Sequence, residues 1–123
     1  MVRVSTERFE ELVRDAIEGL PEYFLERLDN VVVIVEQRPS REQIEHHGLA
    51  PGETLFGLYE GVPMTARGSY APVEPDRITI FQVPLEHYCS NEEELVQQVR
   101  TTVKHEVAHY FGIDDDRLDE LGL

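Results

Sequence analysis

Near the C-terminal end, residues 101–116 read TTVKHEVAHYFGIDDD, and this stretch limits the possible folds more than any other. It holds His-Glu-x-x-His continued as x-x-Gly-x-x-Asp. On a helix, residues four apart lie about 40° apart on one face, so His105 and His109 can bind one metal ion together. Glu106 sits beside them, where a carboxylate can take a proton from a metal-activated water. Gly112 suits the left-handed position that ends a helix and turns the chain back. Asp115 is then placed to add an oxygen ligand, although Asp114, Asp115 and Asp116 are consecutive and spacing alone does not separate them. Two imidazoles, one carboxylate and an open position make a catalytic rather than a structural zinc site.

The helical wheel is a second, independent reading. Leu95, Val96, Val99, Val103 and Val107 fall on one side of the helix, and His105 and His109 fall away from them. The histidines are therefore expected to face a cleft or solvent. Ser90 or Asn91 caps this helix, with Glu92, Glu93 and Glu94 in its positive first turn. It is expected to run to about Phe111, roughly 30 Å at 1.5 Å per residue. A last short turn over residues 116–121 is expected to hold Asp115 near the metal.

This constellation resembles the zincin metallopeptidases, in the version of the signature whose third ligand is an aspartate. With the motif so near the end of a short acidic chain, it is most similar to the minimal zincin-like family. The resemblance implies His105, His109 and Asp115 as ligands of Zn²⁺ and Glu106 as the general base that activates the zinc-bound water. The implied activity is hydrolysis of a peptide bond in a peptide or protein substrate. Larger zincins of this signature continue into a Met-containing turn, whereas both methionines here, Met1 and Met64, lie upstream. A zincin-like metal-binding domain without peptidase activity, in a regulatory or interaction role, is the alternative reading.

A length of 123 residues predicts a single domain over 1–123 with a modest core. The formal charge of −14 repels nucleic acid and anionic membranes and weakly favours cationic partners or basic peptide substrates, with a well-solvated surface as the plain alternative. A metal-dependent ribonuclease with a similar His-x-x-x-His helix is disfavoured, because it needs a basic groove and no Glu106. Cys89 is the sole cysteine, which excludes an intramolecular disulfide and a multi-cysteine zinc site. The first residues lack the apolar run of a signal peptide, and no apolar stretch approaches a bilayer span. The expected location is the cytoplasm; oligomeric state is not legible.

The remaining chain predicts an α+β, zincin-like fold: a small mixed sheet packed with helices, including the long C-terminal active-site helix. Ser5 or Thr6 caps a first helix with the stripe Phe9, Leu12, Val13, Ala16, Ile17 and Leu20. A second short helix is expected over 21–28. The β-branched run Val31–Val35 predicts a strand buried on both faces at the centre of the sheet. Ser40 can cap a short helix through Ile44, and His46 and His47 read as surface residues. Turn formers crowd residues 48–75, within which 55–59 is the best strand and 64–74 an irregular loop. Ile78–Gln82 predicts a third strand, and Pro84 marks either its end or an exposed edge. The zincin resemblance implies an edge strand that pairs with extended substrate, for which Ile78–Gln82 is the candidate; an ordinary sheet strand is the alternative. Arg67, Tyr70, His87 and Tyr88 are candidate oxyanion donors without a spacing argument.

Overall fold

A computed structural model describes residues 1–46, 55–61, 75–114, 116, 117 and 120. The elements run α1 (Thr6–Glu18), α2 (Glu22–Arg27), β1 (Val31–Glu36), α3 (Arg41–His46), β2 (Gly57–Glu60), β3 (Asp76–Phe81), α4 (Gln82–Tyr88) and α5 (Glu92–Tyr110). The fold is the expected mixture of helices with a small mixed sheet. Residues 47, 48, 64–74 and 115, for which the sequence predicts a turn, a loop or a ligand, lie outside the described residues.

The capping chemistry read from the sequence fixes the helix starts. The Ser5 hydroxyl accepts from the Arg8 amide, opening α1. Ser40 and Gln43 form a reciprocal box at α3, each side chain accepting the other's backbone N–H. Asn91 does the same for α5 by accepting from Glu94 N–H at 2.8 Å, while Glu94 accepts from Ser90 N–H. Phe9, Leu12, Val13 and Ala16 of α1 are buried against Leu95, Val99, Val103 and Val107 of α5 and the inner face of the sheet. That face is built by Val33 and Val35 of β1 with Ile78 and Ile80 of β3.

The strand order corrects the sequence expectation. β3 is central, pairing parallel with β1 and antiparallel with β2, so the order is β1-β3-β2. Among the described residues Val31–Val35 is thus an edge strand, and Val32 is 43% exposed. Its β-branched residues report fitness for a pleated surface, which does not say where in the sheet that surface lies. Asp76, Thr79 and Gln82 give β3 a polar look, yet all three are at most 3% exposed. Gln82 is also the first residue of α4, not the last of a strand. Pro84 stands in the first turn of that helix, where a missing N–H costs nothing, so it interrupts no ladder.

The N-terminal arm is stitched to α4. Val2 N–H donates to the Glu86 carbonyl, and Val4 N–H to the Glu86 carboxylate. Gln82 donates to the Val4 carbonyl and lies within bonding distance of Glu86.

Candidate metal site

His105, Glu106 and His109 are one helical turn of α5, and the burial of that helix separates their environments. Thr102, Val103, Glu106, Val107 and Tyr110 form its buried side, whereas His105 and His109 are half-exposed. The imidazole rings lie 4.6 Å apart between centroids at an interplanar angle of 69°. One donor atom from each of the three residues fits within 4.8 Å of the others. Glu106 Oε1 approaches His109 Nδ1 to 3.3 Å. Imidazole nitrogens and a carboxylate oxygen are the donors that borderline cations such as zinc take. The two imidazoles can serve one ion together, with the Glu106 carboxylate close enough to reach a water held beside them.

The buried position of Glu106 comes from β2. Gly57 faces α5, and a Cβ placed on it would stand 2.8 Å from Thr102 Cγ2 and 3.1 Å from Glu106 Cγ. The absent side chain lets the strand lie directly on the turn that carries the carboxylate. From the sequence alone Gly57 reads only as a turn former. The available signal is a glycine inside an apolar strand, which marks close approach of another element.

The end of α5 is held at two points. Gly112 has φ 73°; its N–H donates to the His109 carbonyl, and the Ile113 N–H donates to the Ala108 carbonyl. These are the paired bonds of a Schellman stop, which needs a left-handed residue at that point. Tyr110, 1% exposed, donates its hydroxyl proton to the Asp29 carbonyl at 2.8 Å and accepts from the Asp29 N–H at 3.1 Å. Beyond the stop, Asp114 Oδ1 accepts from the Arg117 N–H and so caps the next turn, while Asp116 is exposed. Asp115 itself is outside the described residues.

Other expected contributors are placed elsewhere. His87 and Tyr88 are exposed at the end of α4 and line a groove with Phe56 that includes none of the His105, Glu106 and His109 cluster. His46 is exposed at the end of α3. Arg67 and Tyr70 lie outside the described residues. Cys89 is buried, and that burial pushes its thiol above the ordinary range. Among the described residues no helix is long and apolar enough to cross a membrane.

The family model of zincin-like metallopeptidases matches residues 28–123. The chain belongs to that family. The match takes in the sheet, the His-Glu-x-x-His helix and the following turn, and begins after α1 and α2. No curated protein matches this zincin-like chain significantly. Among solved structures it is similar to a conserved hypothetical protein from Thermus thermophilus, with a TM-score of 0.56 and 23% identity. That likeness covers 96% of this chain and 97% of the other, so the two share a fold from end to end.

Proposed function

We propose that this zincin-like protein is a zinc-dependent peptidase whose site is His105, His109 and Asp115 as ligands with Glu106 as general base. The observation that carries this reading is the convergence of His105, Glu106 and His109 donor atoms within 4.8 Å on one turn of α5. The third ligand is assigned to Asp115 by its offset from the histidines; Asp114 is already committed to capping Arg117. Zinc in such a donor set supplies Lewis acidity towards a scissile carbonyl and lowers the pKa of water towards ~7.

Glu106 takes the proton from the attacking water and returns it to the leaving amine. Its Cγ lies close to Gly57 of β2, and its carboxylate stands 3.3 Å from His109 Nδ1. The strand next to this turn is β2, whose Gly57 packs on α5. The strand expected from the sequence to pair with extended substrate, β3, is central among the described strands and has no edge to offer. The formal charge of −14 favours basic peptides as substrates.

The test is calorimetric titration of chelator-stripped protein, combined with cleavage of a broad library of unfolded peptides. One Zn²⁺ per chain is expected for wild type, with binding lost in His105→Ala and His109→Ala. Glu106→Gln should hold zinc within a few-fold while turnover falls by roughly 10²–10⁴, the usual contribution of general acid–base catalysis. Equal residual cleavage by wild type and Glu106→Gln would sink the peptidase assignment. Zinc binding without any cleavage would leave a metal-binding domain of the same fold.

A further inference from the structure

Among the described residues β1 pairs only with β3, so its other edge is open. The Asn30 carbonyl accepts from the Asp76 amide at 2.9 Å, which sets the phase of the ladder. In a strand, one residue turns its amide and carbonyl to the partner and the next turns both away. Val32 and Ile34 therefore bond towards β3, and Val31, Val33 and Val35 present their backbone groups outward. Natural edges are guarded by lysine, proline, a bulge or an inward charge. Residues 31–35 contain no such guard. Val32, on the face away from the core, is 43% exposed. Along the same edge, a groove of about 360 Å³ separates Glu10, Arg14 and Ile17 of α1 from Val33 and Val35.

We propose that this edge receives β1 of a second copy of the chain, antiparallel, so that the sheet continues through a two-fold axis. The outward set is centred on Val33. A dyad there pairs Val33 with the partner's Val33 and Val31 with the partner's Val35, satisfying every outward group at once. The same register sets Val32 opposite the partner's Ile34 and covers the exposed valine. The flanking helix is complementary in the same sense. Glu10 and Arg14 are one turn apart along the groove, and a two-fold reverses their order, bringing Glu10 of one copy towards Arg14 of the other. That opposite-charge match offsets locally the repulsion between two chains of charge −14. A strand-plus-helix contact of this length is at the small end of stable interfaces, so its signature is concentration dependence.

Sedimentation across about 1–500 µM, where mass action moves a weak dimer, tests the proposal. Wild type should pass from monomer to dimer, with amide exchange at Val31, Val33 and Val35 slowing as the dimer forms. Val32 and Ile34 should be protected at every concentration. Val32→Lys, at an already exposed position, should keep the circular dichroism of wild type and weaken the dimer about tenfold or more, because it sets a cation in the new sheet. The proposal is overturned by a monomer at all concentrations whose outward amides exchange freely. A monomer whose outward amides are always protected also overturns it, since a segment of the same chain would then cover the edge. A dimer indifferent to Val32→Lys does the same. None of these readings depends on zinc or on cleavage.

Discussion

Gly57 of β2 lies directly against Glu106 of α5, with room for no side chain between them. A Cβ on Gly57 would meet Glu106 Cγ at 3.1 Å and Thr102 Cγ2 at 2.8 Å, and the Thr79 carbonyl at 3.3 Å. Thr102 is 6% exposed and its χ1 is stiff, so it does not move away at little cost. The contact therefore couples the sheet to the carboxylate proposed as base.

Gly57→Ala should destabilise the fold by about 1–3 kcal/mol, the usual cost of overpacking. Zinc affinity should change little, because His105 and His109 lie on the more exposed side of α5, while turnover should fall with the displaced carboxylate. Thr102→Ser removes the methyl that the new Cβ meets. Combined with Gly57→Ala it should recover part of the lost stability, read as a positive coupling in denaturant titrations. Additive losses would show that the strand shifts as a whole.

Asp114 and Asp115 should behave oppositely when replaced by alanine. Asp114 caps the Arg117 N–H, so Asp114→Ala should lose about 1 kcal/mol of stability with zinc affinity within a few-fold. Asp115→Ala should weaken zinc binding most of the three aspartates. Gly112→Ala forces a Cβ into φ 73° and should cost about 1–2 kcal/mol. It should weaken zinc binding as well, because the Schellman turn aims the chain that follows. If Asp114→Ala is the more damaging to zinc, the turn is wrongly assigned.

What the sequence discloses and what it hides divide along local and non-local physics. Ser5, Ser40 and Asn91 cap helices through bonds to residues three positions away, and each is legible because both partners are close in sequence. The His105–His109 pairing is likewise a property of one helical turn. The centre of the sheet is not legible. Whether a strand is central depends on which chain segments lie on both sides, and Val31–Val35 carries no record of that. Thr79 and Asp76 hide the burial of β3, because Asp76 is accommodated by accepting from the Tyr59 hydroxyl, a partner in another strand. Gly57 becomes meaningful only with Glu106 against it. Pro84 misleads because a first-turn proline and an edge-strand proline look alike without the hydrogen bonds.

Cys89 should report global opening. Burial pushes its thiol above the ordinary range, and the side chain is 2% exposed. A disulfide reagent should therefore modify it only as fast as the protein unfolds. The sign of the linkage follows from the neutral form being the buried one. Stability from the protonated thiol is fully present below its unfolded pKa and is lost as pH rises through the higher folded value. Cys89→Ala should remove this alkaline component of the pH–stability curve; an unchanged curve would assign it to other groups.

Tyr110 should matter for stability rather than for metal. Its hydroxyl donates to the Asp29 carbonyl and accepts from the Asp29 N–H, tying the end of α5 to the turn before β1. Tyr110→Phe keeps the ring contacts with Tyr59 and Phe111 but orphans two partly buried backbone groups. The expected loss is about 1–3 kcal/mol, or roughly 3–6 °C in Tm per kcal/mol for a chain of this size. Zinc affinity should remain within a few-fold, because the bonded hydroxyl is directed at Asp29 and not at His105 or His109. Turnover per folded molecule should likewise hold. A variant with wild-type Tm and lost zinc binding or turnover would reverse this assignment, placing the hydroxyl at the site. Retention of both, with the lower Tm, identifies Tyr110 as the anchor that keeps the last turn of α5, and so His109, in place against the sheet.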